Sequence, residues 1–280
     1  MTVDHLVLRG RSDGHSGLQP IVFVNSLGSD LTIWDGVVSE LGSTYHCLRY
    51  DKRGHGLSDA PPDTQAPRVR RALPSTHPLR GAYTLEKHTR DLVGVMDEFG
   101  VERAAIVGIS VGGLIALQAA SRHPERVRAL VLCDTAARIG TEEGWNERIE
   151  AIRQEGLAAL APSIAARWFA PSFPTEEPAT FRGHVNMLGR SAAEGYLGTC
   201  AMLRDTDLGG SLGSIRCPAL VVTGDHDVAT PPVMGRALAA VLEHGRFAPI
   251  ADAGHLPCVE QPEALAGLIR DFLEEVGADA

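Results

Sequence analysis

This chain of 280 residues lacks the cysteine spacing of a metal site or a disulfide framework. Its five cysteines, Cys47, Cys133, Cys200, Cys217 and Cys258, are odd in number and widely separated. None forms a C-x-x-C pair or sits beside histidines at zinc-ligand spacing, so no metal is expected. Cys47, Cys133 and Cys217 lie in or beside apolar runs, where a thiol acts as a small core residue. Also missing is any apolar run approaching the roughly 18 residues of a membrane span. Met1–Gly14 carries scattered charges and no apolar stretch of signal-peptide length, so a reduced, cytoplasmic protein with no membrane partner is expected. Positive charge is not in excess. Lys and Arg number 26 against 35 Asp and Glu, a net charge of −9, which argues against nucleic acid as a partner. No internal repeat is visible, and a composition of 44% hydrophobic and 22% charged residues excludes a disordered chain.

What the chain does have is alternation. Nearly continuous runs rich in Val, Ile and Leu occupy Ile21–Asn25, His46–Asp51, Ala104–Gly108, Val127–Asp134 and Ala219–Gly224, as in strands covered on both faces of a parallel sheet. Another short strand is expected at Arg246–Ile250. Helical patterns lie between them. In Thr84–Gly100, Leu85, His88, Leu92, Val95 and Phe99 recur at steps of three and four, and Gly100 stops the helix. Val111–Arg122 is rich in Ala, Leu and Ile, and Pro262–Val276 puts Leu265, Leu268, Ile269 and Phe272 on one stripe. The pattern predicts an α/β fold with a mostly parallel, doubly wound sheet. It breaks between Gly140 and Gly213, where Trp145–Gln154, Leu157–Phe169, Phe181–Leu188 and Ala192–Arg204 read as helices. The expected division is a first core part at 1–139, a helical cap at 140–213 and a second core part at 214–280. Pro61–Gly81 carries five prolines and four arginines against one aspartate, and a mobile surface loop is expected there.

The chemistry concentrates at Gly108-Ile109-Ser110-Val111-Gly112, between the strand Ala104–Val107 and the helix Val111–Arg122. In that context G-x-S-x-G is a nucleophile elbow: the turn strains the serine backbone, and side chains two residues away would collide, hence the glycines. A serine hydroxyl needs a base. His255 follows the Arg246–Ile250 strand on a loop and is the candidate, while His226 reads as turn filler. Asp225 and Asp227, after the strand ending at Gly224, are candidate acids, and Asp134 is a less favoured one. The order Ser110, then an acid, then His255 is that of the α/β-hydrolases. An oxyanion hole needs two backbone N–H groups. One is expected from Val111 and the other from Leu27, in the turn Asn25-Ser26-Leu27-Gly28.

With these residues placed, the chain resembles the α/β-hydrolase superfamily along nearly its whole length, and within it the 3-oxoadipate enol-lactonases of the β-ketoadipate pathway. The resemblance rests on Phe23–Asp35, on Tyr50-Asp-Lys-Arg-Gly-His-Gly-Leu-Ser58 and on Cys133-Asp-Thr-Ala-Ala-Arg-Ile-Gly140. It rests further on Trp145-Asn-Glu-Arg-Ile149, Arg167-Trp-Phe169 and Gly224–Pro232. The turn at Asn25–Gly28 stands where many relatives carry His-Gly. The Pro61–Gly81 stretch departs from the family, being longer than its usual link. The resemblance implies an α/β-hydrolase fold with the helical cap inserted after the sixth strand, and a triad of Ser110, Asp227 and His255, the acid lying three residues after the glycine. It implies opening of 3-oxoadipate enol-lactone to 3-oxoadipate through an acyl-enzyme, with no metal or organic cofactor. The substrate is a small anionic lactone, so a cation is expected to meet its acetate arm. Arg138, Arg148 and Arg167 are candidates for it, and Trp145 and Trp168 for pocket walls. Another serine α/β-hydrolase, a general carboxylesterase or a carbon–carbon bond hydrolase of ring-cleavage products, would keep the triad and change the cap. Ser110 disfavours the carboxylate-nucleophile dehalogenases and epoxide hydrolases, and a ligand receptor with a vestigial site would not need a complete triad.

Overall fold

The computed structural model describes residues 1–3, 5–61 and 81–278. Apart from its two end residues, the Pro61–Gly81 loop expected from the sequence lies outside them. Strands β1 (Thr2–Val3) and β2 (Leu6–Val7) pair as a small antiparallel hairpin. Strands β3 (Gly10–Asp13), β4 (Pro20–Val24), β5 (His46–Tyr50), β6 (Ala104–Ile109), β7 (Val127–Cys133), β8 (Ala219–Gly224) and β9 (Gly245–Ile250) form one sheet of seven strands. Their order is β3-β5-β4-β6-β7-β8-β9. β3 runs antiparallel to β5, with Gly10 opposite Tyr50, and the remaining neighbours are parallel.

Strands β6 and β8 are buried from end to end, as two-sided coverage demands. The edges differ. β3 is Gly-Arg-Ser-Asp and half exposed, so no apolar run announces it. At the opposite edge β9 accommodates Pro249, which a central strand could not, because proline has no N–H for a neighbour. The helical segment follows β7. That strand is the fifth of the main sheet along the chain and, because the two strands of the hairpin precede the sheet, the seventh among the described residues, where the sixth was expected.

Helices α1 (Asp35–Leu41), α2 (Leu85–Glu98) and α3 (Val111–Arg122) follow β4, β5 and β6. Thr84 caps α2 by accepting the Lys87 N–H, and Gly100, at φ +69°, carries the chain away from its end. After β7 come α4 (Glu142–Glu155), α5 (Leu157–Ala165), α6 (Phe173–Glu176), α7 (Pro178–Gly189) and α8 (Ala193–Asp205), with no strand among them. The core resumes with β8, α9 (Pro232–Val241), β9, α10 (Pro257–Glu260) and α11 (Pro262–Ala278). α8 packs backbone to backbone on the turn after β5: a Cβ on Gly195 would lie 2.1 Å from the Gly54 carbonyl oxygen. Ser26, Asp51, Ser110, Asp134, Asp227 and His255 all follow the carboxyl ends of parallel strands, which is where open α/β sheets bind ligands.

Arg53 ties the turn after β5 to α2. Its Nε and Nη2 each lie 2.6 Å from an Asp91 carboxylate oxygen, and both side chains are buried. Removing one partner strands a charge in the interior, at a cost of about 3–5 kcal/mol. Asp91→Ala is therefore expected to lower stability by that amount in urea unfolding, and Arg53→Met with Asp91→Leu to recover most of it.

Candidate active site

Ser110 sits at φ +57° and ψ −120°, a conformation a non-glycine residue holds only when its surroundings impose it. Those surroundings are visible. The Ser110 N–H donates to the Cys133 carbonyl at 2.9 Å, and its carbonyl accepts the Thr135 hydroxyl at 2.7 Å. A Cβ on Gly108 would fall 2.3 Å from the Gly112 oxygen, and one on Gly112 would fall 2.1 Å from the Val24 oxygen. Glycine at both positions is what lets the strand turn into the helix.

On the neighbouring strand ends, His255 Nδ1 donates to Asp227 Oδ2 at 2.8 Å, and both residues are buried. Asp227 also accepts the Thr230 hydroxyl at 2.6 Å, the Ala229 N–H at 2.7 Å and the Thr230 N–H at 3.2 Å. Burial alone would raise its carboxyl. The His255 charge and these hydrogen bonds outweigh burial and hold it well below the usual carboxylate range. Asp225 lies apart, half exposed, accepting the Ala253 N–H at 3.4 Å. Asp134 is fully buried at φ +45°, and its Oδ1 accepts the Gly224 N–H at 2.9 Å. Burial, then the Asp227 charge, pushes its carboxyl well above the ordinary value. Polar atoms of Asp134, Asp227 and His255 come within 4.8 Å of one another. A metal there would have to break the His255–Asp227 bond, so this donor set does not suit one.

A cavity of about 470 Å³ opens over these residues. Ser110, His255 and Leu27 line it from the strand ends, and Trp145, Arg148, Arg167, Trp168 and Tyr196 from the helical segment. Among the described residues the Arg148 guanidinium makes one hydrogen bond, to the Tyr196 hydroxyl at 3.4 Å, and neither it nor Arg167 pairs with a carboxylate. Glu147 lines the same cavity. Arg138 is not brought there: half exposed, it turns toward Asp207 at 3.9 Å. Trp145 is anchored by its indole N–H on the Ile139 carbonyl at 2.7 Å. The Leu27 and Val111 N–H groups have no hydrogen-bond partner among the described residues.

Some contributors carried no motif. Thr230 could have been suspected as the hydroxyl three residues beyond an aspartate in a turn. Tyr196 sits in an ordinary helix. Glu260 is the third. Its two carboxylate oxygens accept the Gly254 and Ala170 N–H groups, each at 2.7 Å, while the Leu256 N–H donates to the Trp168 carbonyl at 3.0 Å. The loop holding His255 is thus bonded on both sides to the chain that carries Arg167 and Trp168.

A buried acid–histidine pair, a strained serine elbow and a strand-end cavity define an α/β-hydrolase site. The chain belongs to that family: the model for the alpha/beta hydrolase fold matches residues 19–262. It is similar to 3-oxoadipate enol-lactonase 1 of Acinetobacter baylyi, at 32% identity over 94% of this chain and 92% of that one. Among solved structures it is similar to the enol-lactonase from Burkholderia xenovorans LB400, with a TM-score of 0.87 and 35% identity over 97% of this chain and 98% of the other. A thermophilic esterase from Thermogutta terrifontis also superposes, with a TM-score of 0.84 and 27% identity over 97% and 94% of the two chains.

Burial is the main cause that raises the Glu260 carboxyl to about 7, against the pull of its two N–H donors. The folded protein then holds a proton that the unfolded chain releases at the lower, ordinary value. The associated stabilisation is complete below that value and lost as pH rises through about 7. Glu260→Gln cannot titrate. Its urea midpoint is expected to fall less than that of the wild type between about pH 5 and about pH 8.

Proposed function

We propose that the protein is a serine hydrolase that opens the ring of 3-oxoadipate enol-lactone to 3-oxoadipate, in aromatic-compound catabolism. The observation that carries this reading is the cavity itself. One wall presents Ser110 and the Asp227-bound His255, and the other presents Arg148 and Arg167 without carboxylate partners among the described residues. The likeness to enol-lactonases supports the same substrate.

In this mechanism Ser110 Oγ attacks the lactone carbonyl carbon while His255 takes its proton, and Asp227 stabilises the charged imidazole. The Leu27 and Val111 N–H groups receive the oxyanion. The carbon–oxygen bond of the ring breaks, and the leaving oxygen takes the proton from His255 as an enol, which ketonises. The leaving group remains tethered, so the acyl-enzyme holds the whole substrate. Water deprotonated by His255 then releases 3-oxoadipate, and the overall reaction consumes one water. Residues 140–213 act as a cap between the core parts 1–139 and 214–280, and an arginine of that cap meets the acetate arm as a desolvated ion pair. Trp145 and Trp168 wall the pocket. A cytoplasmic setting accords with five free cysteines, four of them buried, and no helix among the described residues is long and apolar enough to cross a membrane. The likeness to an esterase keeps a second reading open, a carboxylesterase for neutral esters.

Ser110→Ala is expected to keep its fold by circular dichroism and lose turnover by a factor on the order of 10⁴–10⁶, along with covalent labelling by a fluorophosphonate. Near-normal turnover in the folded variant would remove Ser110 from the mechanism.

The arginines separate the two substrates. Losing one partner of a desolvated pair costs roughly 2–5 kcal/mol. Arg148→Ala or Arg167→Ala should therefore cut kcat/KM on the anionic lactone by the corresponding factor and leave a neutral aryl ester of similar size little changed, whereas Arg138→Ala should affect neither. If both cap variants keep the preference for the anion, the carboxylate anchor lies elsewhere.

A further inference from the structure

The two N–H groups assigned to the oxyanion belong to the peptides Ser26–Leu27 and Ser110–Val111. A peptide is planar and trans, so its N–H points opposite to its carbonyl, and whatever holds the oxygen aims the hydrogen. In both peptides the oxygen is held by three donors. The Ser26 carbonyl accepts Lys52 Nζ at 2.9 Å, the Ser29 hydroxyl at 3.0 Å and the Ser29 N–H at 3.4 Å. The Ser110 carbonyl accepts the Thr135 hydroxyl at 2.7 Å, the Gly113 N–H at 2.9 Å and the Leu114 N–H at 3.4 Å. Each set contains one side chain from a different strand end: Lys52 after β5 and Thr135 after β7, both fully buried.

Lys52 is the less expected of the two. Among the described residues its ammonium makes one hydrogen bond, to the Ser26 carbonyl, and no ion pair with a carboxylate. Burial lowers it to about 7, although Asp51 and Asp30 pull the other way. Burying an amine with so little compensation is costly, and a hydrophobic residue could fill the space at no such cost. The neighbouring Asp51 is already engaged with the Leu31 N–H at 2.7 Å and the Leu57 N–H at 2.9 Å. What the Lys52 stem reaches instead is the back of one peptide.

We propose that Lys52 and Thr135 are positioning residues of the oxyanion hole, each bracing from behind the carbonyl of a peptide whose N–H receives the developing negative charge. A donor on the carbonyl oxygen also polarises the amide, so its N–H becomes a better donor as charge builds up on the substrate oxygen. Both effects act on the tetrahedral intermediate more than on the bound ester, and therefore on kcat more than on KM. The inference rests on the reading of Leu27 and Val111 as oxyanion donors.

The test compares Lys52→Met, which keeps the apolar stem, with Thr135→Val, which keeps the shape, and Thr135→Ser, which restores a hydroxyl. Turnover is measured on a neutral aryl ester, and binding with phenylboronic acid, which forms a tetrahedral adduct, and with adipate as a product-like anion. Removing an oxyanion donor outright costs about 10²–10³ in kcat, and a misaimed donor is expected to cost roughly tenfold or more. Lys52→Met and Thr135→Val should lose that factor in kcat with KM within about twofold, and should bind the boronate correspondingly less tightly while binding adipate as before. Thr135→Ser should recover most of the loss. Folded variants with kcat within about twofold of wild type would overturn the proposal. So would equal weakening of boronate and adipate, the result expected from loosened packing. If Lys52→Met does not fold, the two Thr135 variants decide the matter. A wild type without Ser110-dependent boronate binding would instead defeat the serine-hydrolase reading itself.

Discussion

Gly112 has no room for a methyl group because the carboxyl end of β4 lies directly against the first turn of α3, 2.1 Å from where a Cβ would be. Much of the site depends on that approach. It brings the turn after β4, with Leu27, beside the turn after β6, with Ser110 and Val111. It also leaves the serine backbone in a strained conformation that bonds on both sides, to the Cys133 carbonyl and the Thr135 hydroxyl, can sustain. An extra carbon at position 112 would act on catalysis through distance, since electrostatic stabilisation by backbone donors falls away when they are misplaced.

Three acids behind the cavity show how environment divides one chemistry into different roles. Asp227 gathers donors from His255, Thr230 and Ala229 and remains ionised in spite of burial. Asp134, with one backbone donor and the Asp227 charge nearby, has its carboxyl pushed well above the ordinary value. Glu260 lies between these extremes, at about 7, and uses both oxygens to join the His255 loop to the chain leading from Arg167. The number of N–H and O–H donors aimed at each carboxyl separates the three.

The walls of the cavity come from two sources with different tolerances. The strand ends are set by sheet register and by buried backbone hydrogen bonds, which leave little freedom. The helical segment meets them through Glu260, through the Leu256–Trp168 backbone bond and through the close contact of Gly195 with Gly54. On a chain of net charge −9 this segment brings Arg148 and Arg167, together with Glu147, to the cavity.

Strand runs, helix stripes and the G-x-S-x-G turn were legible because each is local: burial on both faces imposes apolar runs, and an elbow imposes glycines at fixed offsets. The order of Ser110, an acid and His255 followed from the same local signals, and the resemblance to the α/β-hydrolases pointed to Asp227 over Asp225. The exposed edge strand β3 and the hairpin β1–β2 were not legible, since a few residues with one wet face need no apolar pattern. Nor did α1 and α9 stand out, and Arg138 looked as good a cavity cation as Arg148 until the fold turned it toward Asp207. Glu260, Lys52 and Thr135 bond to atoms far from them in sequence. The sequence by itself determined which residues could be nucleophile, base and acid, because those roles belong to residue types at the ends of recognisable strands. Tertiary structure decided which acid bonds to His255, which arginines face the cavity and which side chains hold the Ser26 and Ser110 carbonyls. Those choices rest on distances of about 3 Å between strand ends, and no spacing along a chain encodes them.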